Sequence, residues 1–232
     1  MKIVSWNANG KFREKIRLFD PGAIDVMVVQ ECERTEKSEE LYRAAGWKFH
    51  WIGENRHKGL GIFVPINRQC EKLSHEIQVC RYFLPVRVSD ELTVMGVWAM
   101  GGKSASVSYA GQITRFLESY MHLLEPKKTI FVGDFNSNSI WDKRHRNANH
   151  TNNDAQLNEI GLKSLYHEYE GEKLGEETKS TFFMYRKQEK PYHIDYAYLP
   201  EIYLENSSIE IGCWREWLEH SDHMPLIVDL NF

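Results

Sequence analysis

Ile130-Phe131-Val132-Gly133-Asp134-Phe135-Asn136-Ser137 is the stretch from which the rest of the chain can be read. Three apolar residues mark the end of a buried strand, and Gly133 then lets the backbone turn. The strand therefore delivers a carboxylate and a carboxamide at its exit. Asp134 can orient or deprotonate a water there, and Asn136 can hydrogen-bond a phosphate or an incoming oxygen without adding negative charge. Taken alone, the segment also reads as a plain turn, because Asp and Asn side chains bond nearby backbone amides. The surrounding chain has to separate the two readings.

The same pattern recurs elsewhere. Lys2 to Trp6 reads as a strand that opens into Asn7-Ala8-Asn9-Gly10, and Ile24 to Val29 reads as a buried strand that finishes in Gln30 and Glu31. Asp195 lies in the alternating stretch Tyr192 to Leu199, and Asp222-His223 immediately precede a last strand, Pro225 to Leu230. If the last two strands run antiparallel to the first three, the beginnings of one set and the ends of the other share a rim. That rim would gather four carboxylates, several carboxamides and an imidazole. Clustered carboxylates repel unless a cation neutralises them, and an all-oxygen set with amides suits hard Mg2+ or Mn2+ better than zinc. Magnesium takes one or two carboxylates as a rule, which leaves the others for acid and base work on a phosphate ester.

Composition narrows the partners. The chain has 232 residues, 42% hydrophobic and 27% charged, the profile of a globular protein with one core, so a single domain over 1–232 is expected. A formal net charge of -4 provides no broad basic field. A polyanionic substrate must then be held by a local patch or a metal. No run approaches the ~18 apolar residues of a membrane span, and Met1 to Trp6 enters a strand at once. A cytoplasmic location with no membrane and no obligate protein partner is the expectation. Cys32, Cys70, Cys80 and Cys213 form no C-x-x-C pair and are expected to be buried, reduced thiols.

The remaining segments give the frame. Phe83 to Val88 and Leu92 to Trp98 flank Ser89-Asp90-Glu91 as a hairpin, so mixed sheets are expected. Ser108 to Leu124 is the strongest helix, with Tyr109, Ile113, Phe116, Leu117, Tyr120 and Leu124 at helical spacing. That stripe reads as core, Tyr109 included. Gly53 to Gly61 reads as a polar loop, as does Asn138 to Asn153, while Gln156 to Leu162 reads as a helix. Glu168 to Lys179 reads as charged and exposed.

Trp6-Asn7-Ala8-Asn9-Gly10, Gln30-Glu31, Gly133-Asp134-Phe135-Asn136, Ile194-Asp195-Tyr196 and Ser221-Asp222-His223-Met224-Pro225, in this order, resemble the endonuclease/exonuclease/phosphatase superfamily, which includes exonuclease III and deoxyribonuclease I. The resemblance spans nearly the whole chain. It implies an α/β (α+β) fold, a four-layer sandwich of two mixed β-sheets packed face to face with helices outside, and metal-dependent phosphoester cleavage. Carried over by position, Glu31 would be the principal metal ligand, with Asn7 and Asn9 beside it and Asp222 a further acidic contact. Asp134 would orient and deprotonate the attacking water, and Asn136 would steady the attacking oxygen or the phosphate. His223 would bond the phosphate, with Asp195 holding its imidazole. Asp195 as a strand cap, and Asp222 and Asn9 as turn residues, are the plainer alternatives.

The chain also departs from that family. Where many members place a His or an Asn-x-Tyr that contacts phosphate, it has Ala99-Met100-Gly101-Gly102-Lys103-Ser104. Lys103, Ser104 or the glycine backbone are candidate replacements. His57 and Lys58 in the Gly53 to Gly61 loop, and Arg144 and Arg146 in the Lys143 to Arg146 run, are candidate grips on a nucleic-acid backbone. The leading expectation is a nuclease acting on DNA or RNA. A phosphoesterase acting on inositol phosphates, lipid headgroups or other small phosphoesters is the alternative within the same chemistry, and a binding module that has lost catalysis is the alternative outside it.

Overall fold

Side-chain alternation along the strands buries both faces of two sheets. The computed structural model describes residues 1–74, 80–90, 92–101, 108–144 (backbone alone at 143 and 144) and 148–231. The strands β1 (Lys2–Asn7), β2 (Val26–Cys32), β3 (Trp47–Asn55) and β4 (Lys58–Pro65) begin one sheet. A second sheet takes β5 (Glu71–Lys72), β6 (Phe83–Ser89), β7 (Leu92–Trp98), β8 (Thr129–Asp134) and β9 (Leu162–Ser164). The short strands β10 (Phe182–Phe183) and β11 (Pro191–Tyr192) pair with each other, and Phe182 also forms an antiparallel bridge with His223. Next, β12 (Asp195–Pro200) returns to the second sheet, while β13 (Ser208–Ile211) and β14 (Leu226–Asp229) complete the first. The spatial orders are β13-β14-β1-β2-β4-β3 and β5-β6-β7-β8-β12-β9.

Three apolar layers separate four layers of structure. Ile3, Val28 and Ile62 of the first sheet meet Leu84, Val94 and Val132 of the second in the central layer. On the outer face of the first sheet, Val4, Trp6 and Phe63 pack with Phe12 of helix α1 (Phe12–Lys15) and Tyr42 of α2 (Glu36–Ala44). Outside the second sheet, Met95, Phe131 and Tyr198 pack with Ile113 and Phe116 of α3 (Tyr109–Tyr120) and Leu157 of α4 (His150–Glu159). This is the four-layer sandwich expected from the sequence.

Register then builds the rim. Strand β1 runs parallel to β2, pairing Asn7 with Gln30, and antiparallel to β14. In the other sheet β8 is parallel to β7 and antiparallel to β12, so Asp134 lies between Trp98 and Asp195. The ends of β1, β2 and β8 and the start of β12 therefore converge with the segment before β14.

Several local expectations are corrected. The Gly53 to Gly61 loop is a hairpin, with β3 and β4 paired to its tip through Asn55 and Lys58. The stretch expected as a loop at Asn138 to Asn153 contains a 3-10 helix, Ser139–Arg144, and the first turn of α4, which starts at His150 and ends at Glu159, ahead of the expected Gln156 to Leu162. Its buried side chains include polar ones: Asn153 donates to the carbonyl of Ala110 and accepts from Thr114, so no apolar period marks the helix. The Tyr192 to Leu199 strand is interrupted at His193-Ile194. Within the Glu168 to Lys179 segment, the Glu177 side chain is buried, with Asn138, His167 and the Gly175 backbone donating to it. Cys32 and Cys80 are buried as expected, whereas Cys70 is partly exposed and Cys213 exposed. Among the described residues no helix is long and apolar enough to cross a membrane.

Candidate active site

Gly133 sets the geometry. Its φ is +154°, and a Cβ at this position would fall 1.9 Å from the carbonyl oxygen of Val97. Only a glycine lets β8 approach β7 that closely just before Asp134. The Asp134 carboxylate that follows is completely buried. Its Oδ2 accepts from Asn7 Nδ2 at 2.9 Å and Asn136 Nδ2 at 2.8 Å, and its Oδ1 accepts from the Asn136 backbone N–H at 2.9 Å. Burial, then the neighbouring Asp195, raise its pKa to about 7, against the His223 charge and these donors. A carboxyl with that value is a proton acceptor near neutrality.

His223 faces it. Nε2 lies 3.9 Å from Asp134 Oδ2, and Nδ1 donates to Asp195 Oδ2 at 2.9 Å. Burial opposes the imidazolium, but the Asp195 and Asp134 carboxylates outweigh it and hold its pKa at about 10. Asp195 is fixed in turn through its backbone: Thr181 Oγ1 accepts from the N–H groups of Ile194 and Asp195 at 2.9 and 3.0 Å. Trp6 Nε1 donates to the His223 carbonyl at 2.9 Å. Ser221 Oγ donates to the carbonyl of Asn7 at 2.7 Å and accepts from the N–H of His223 at 3.1 Å, tying β1 to the segment before β14.

Asn9 and Asp222 form a second pair, Nδ2 to Oδ1 at 2.9 Å, beside Asn7, whose Oδ1 accepts from the Asn9 N–H. Glu31 sits at a bulge, where the β2–β4 register shifts between Gln30 and Cys32. Its Oε2 is 2.8 Å from Lys58 Nζ. Asn9, Glu31 and Asn136 have φ of 50°, 58° and 48°, three left-handed residues among the predicted site positions. Such conformations concentrate where a side chain must be aimed against the run of the backbone.

Asn7, Asp134 and Asn136 thus form one hydrogen-bonded group and Asp195 and His223 another, the two joined by the 3.9 Å Asp134–His223 ion pair and through Ser221 into one network that Asn9 and Asp222 adjoin. Lys58, expected to grip substrate, is found on Glu31 instead. His57 lies at the exposed hairpin tip, its backbone N–H on Asn55 Oδ1, and makes no contact with this network. Lys103, Ser104 and Arg146 lie outside the described residues, as does the Arg144 side chain. Thr181 and Ser221 are supporting residues the sequence reading did not assign. A serine two positions before a histidine is a turn signal that points to Ser221, but nothing in the sequence points to Thr181.

Among the described residues, the His, Cys, Asp and Glu side chains that bring three ligand-capable atoms within 4.8 Å of one another are Asp134, Asp195 and His223. The His223 Nδ1 proton is committed to Asp195, and an imidazolium repels a cation, so this trio suits an anion at Nε2 better than a metal. Glu31, Asn7 and Asp222, outside this trio, carry oxygen donors of the kind a hard ion takes.

A cavity of about 670 Å3 opens beside Asn136, lined by Trp141, Phe182, Met184, Tyr192 and Ile194 among others. The Trp141 and Tyr192 rings are 5.2 Å apart, and the Phe182 ring lies 4.6 Å from that of His223. Tyr109, expected in the core, is 46% exposed and lines the same cavity, at the very start of α3.

The family model described as Endonuclease/Exonuclease/phosphatase matches residues 4–223. The chain belongs to the endonuclease/exonuclease/phosphatase family. The fold is similar to that of several solved structures. A 3'-5' exonuclease from Neisseria meningitidis superposes with a TM-score of 0.74 at 17% identity, all of both chains being covered. An AP endonuclease from Archaeoglobus fulgidus gives 0.75 at 17% identity, again with both chains covered in full. A truncated TDP2 from Caenorhabditis elegans gives 0.67 at 13% identity, covering 100% of this chain and 97% of that one. No curated protein sequence matches the chain. Relative to many members of the family, the segment after β7 carries Ala99-Met100-Gly101, and the Asn136 amide donates to the carbonyl of Ala99 at 3.1 Å.

Proposed function

We propose that this protein is a divalent-metal-dependent phosphodiester hydrolase that cleaves nucleic acid by attack of water on phosphorus. The observation that carries this reading is the buried carboxylate of Asp134, which collects three N–H donors while facing the His223 imidazolium across 3.9 Å. A proton acceptor and a cation so placed suit a reaction in which water loses a proton while negative charge grows on phosphoryl oxygens.

The roles follow from which atoms are already committed. Asp134 takes the proton of the attacking water. Both protons of the Asn136 amide are used, on Asp134 and Ala99, so this residue does not donate to phosphate. It holds Asp134 and keeps Oδ1 available to accept from the water. His223 Nε2 donates to the phosphate, and Asp195 maintains the charge and orientation of the ring. Glu31, Asn7 and Asp222, with Asn9 beside them, would hold Mg2+ or Mn2+. Their donor atoms are oxygens, and Glu31 already carries a cationic partner in Lys58. An ion there supplies neutralisation of the phosphate's charge.

Two features favour nucleic acid over a small phosphoester. The aromatic cavity next to Asn136 is of a size to accept a nucleoside, and rings of this kind stack bases or pack against sugars. The β10–β11 hairpin that forms part of its wall also carries Tyr185, 73% exposed, with Arg186, Lys187 and Lys190 around it, a local patch able to meet a phosphate backbone. The net charge of -4 favours the small-substrate reading.

The test is purified protein with Mg2+ or Mn2+ against single- and double-stranded DNA, an abasic duplex, RNA and bis(p-nitrophenyl) phosphate, with a chelator control. Cleavage of oligonucleotides that needs the ion, weakens steeply with salt and is lost in Asp134→Asn is expected. Metal-dependent hydrolysis that survives Asp134→Asn undiminished would overturn the mechanism.

A further inference from the structure

Lys58 has an assignment that no phosphate grip explains. It is the first residue of β4, immediately before Gly59, and Gly59 pairs with Cys32 on the far side of the bulge that extrudes Glu31. The bulge thus turns the Glu31 carboxylate toward the start of the neighbouring strand, and the Lys58 ammonium meets Oε2 at 2.8 Å. The same ammonium lies 5.8 Å from the centroid of the Trp98 ring, and Trp98 is the register partner of Asp134. Lys58 therefore sits at the rim where the two sheets meet, with its charge on the carboxylate that the proposed metal site needs most. Glu31 is largely enclosed, whereas about half of the Lys58 side chain is solvent-exposed, so the lysine is the partner free to leave.

We propose that Lys58 is a resident counter-cation of Glu31, and that a divalent ion and the Lys58 ammonium compete for the same carboxylate. This rests on the reading of Glu31 as a metal ligand. The physics is direct: an ammonium and a divalent ion held within a few ångströms of one carboxylate repel each other strongly at the low effective dielectric of a half-buried rim. Binding of the ion must displace the lysine, so the intact pair lowers metal affinity and leaves a free ammonium beside the site once the ion is in place. Lys58 then sets the concentration range of metal in which the site loads.

The readout is binding, not turnover. Free Mn2+ is followed by electron paramagnetic resonance during titration of the wild type, Lys58→Met, Lys58→Arg and Glu31→Gln. Lys58→Met keeps an unbranched stem without the charge, giving up the ammonium's place over the Trp98 ring. It is expected to bind Mn2+ about tenfold more tightly than the wild type, while Lys58→Arg stays within about twofold, since only the first removes the competing charge. Reductive methylation of the wild type, mapped by mass spectrometry, is expected to modify Lys58 faster once Mn2+ is added. Unchanged or weaker binding by Lys58→Met, or Lys58 reactivity indifferent to Mn2+, overturns the proposal. If wild type and Lys58→Met bind equally and Glu31→Gln does not bind, the metal reading of Glu31 stands and the competition alone falls. If neither wild type nor Lys58→Met binds Mn2+ while both keep their circular dichroism, the metal reading itself falls, and the competition with it.

Discussion

Asp195 and His223 are 28 residues apart in the chain and 2.9 Å apart in the fold, joined through Oδ2 and Nδ1. Both are buried, so the imidazolium persists only because Asp195, with Asp134 behind the other ring nitrogen, outweighs the cost of burial. Because the pKa of His223 is raised to about 10, the charged ring is present throughout the neutral range and is lost as pH rises through that value. Asp134, raised to about 7, must shed its proton to act, so activity should climb as pH passes neutrality. Asp195→Asn should move the alkaline fall of kcat/KM toward neutral pH and lower kcat by about 10^2 to 10^3, the cost typical of one misplaced electrostatic donor. A pH-rate profile of the variant with an unmoved alkaline limb would show that Asp195 serves the fold alone.

Gly133→Ala tests the close approach that delivers Asp134. The new methyl would collide with the backbone of Val97, where no side-chain rotation relieves the contact, and φ of +154° is strained for any L residue. A loss of about 4 kcal/mol or more in unfolding free energy is expected, at the extreme of single substitutions. A denaturant midpoint near the wild-type value would refute it.

Trp141→Ala and Tyr192→Ala remove the paired rings of the cavity beside Asn136. If the cavity receives a base or sugar, each should weaken oligonucleotide binding by about 1–3 kcal/mol, the range for aromatic stacking on single strands. Hydrolysis of bis(p-nitrophenyl) phosphate, too small to need the cavity, should change little. Equal losses on both substrates would instead assign the rings to holding the site together.

His150 gives a prediction about stability. It is buried under Tyr196, its Nδ1 bonded to Ser137 Oγ, and burial pushes its pKa down to about 4. Between its ordinary 6.5 and about 4, the unfolded chain takes up a proton that the native state excludes. Stability should therefore fall as pH drops through that window, by at most about 3 kcal/mol from this group. Urea midpoints measured from pH 7 to pH 4 should give a shallower slope for His150→Gln, by close to one proton.

Much of this was legible in one dimension where the physics is local. Apolar runs ending in Asp, Asn or Glu, at Val132-Gly133-Asp134 and Val29-Gln30-Glu31, are strand exits whatever surrounds them, and their order along the chain sufficed to recognise the family. The Phe83 to Trp98 hairpin and the α3 stripe followed from periods of two and of about 3.6. Where polar side chains are buried by bonding one another, periodicity is silent. Asn153 and Thr114 hide α4 in that way, and Asn138, His167 and Glu177 hide a buried carboxylate in a stretch that reads as solvent-exposed.

By itself the sequence determined which groups could do chemistry, because residue types and strand exits are properties of short segments. Only the tertiary structure decided what each group is committed to. The carboxamide of Asn136, open to phosphate in the sequence, spends both protons on Asp134 and Ala99. Tyr109, apolar stripe by spacing, is half exposed at the start of α3 and lines the cavity. Lys58, a candidate backbone grip in the sequence, is delivered to Glu31 by a bulge in a strand it does not belong to. Hydrogen-bond valence and charge pairing are settled between segments distant in the chain, and so they become visible only when those segments meet.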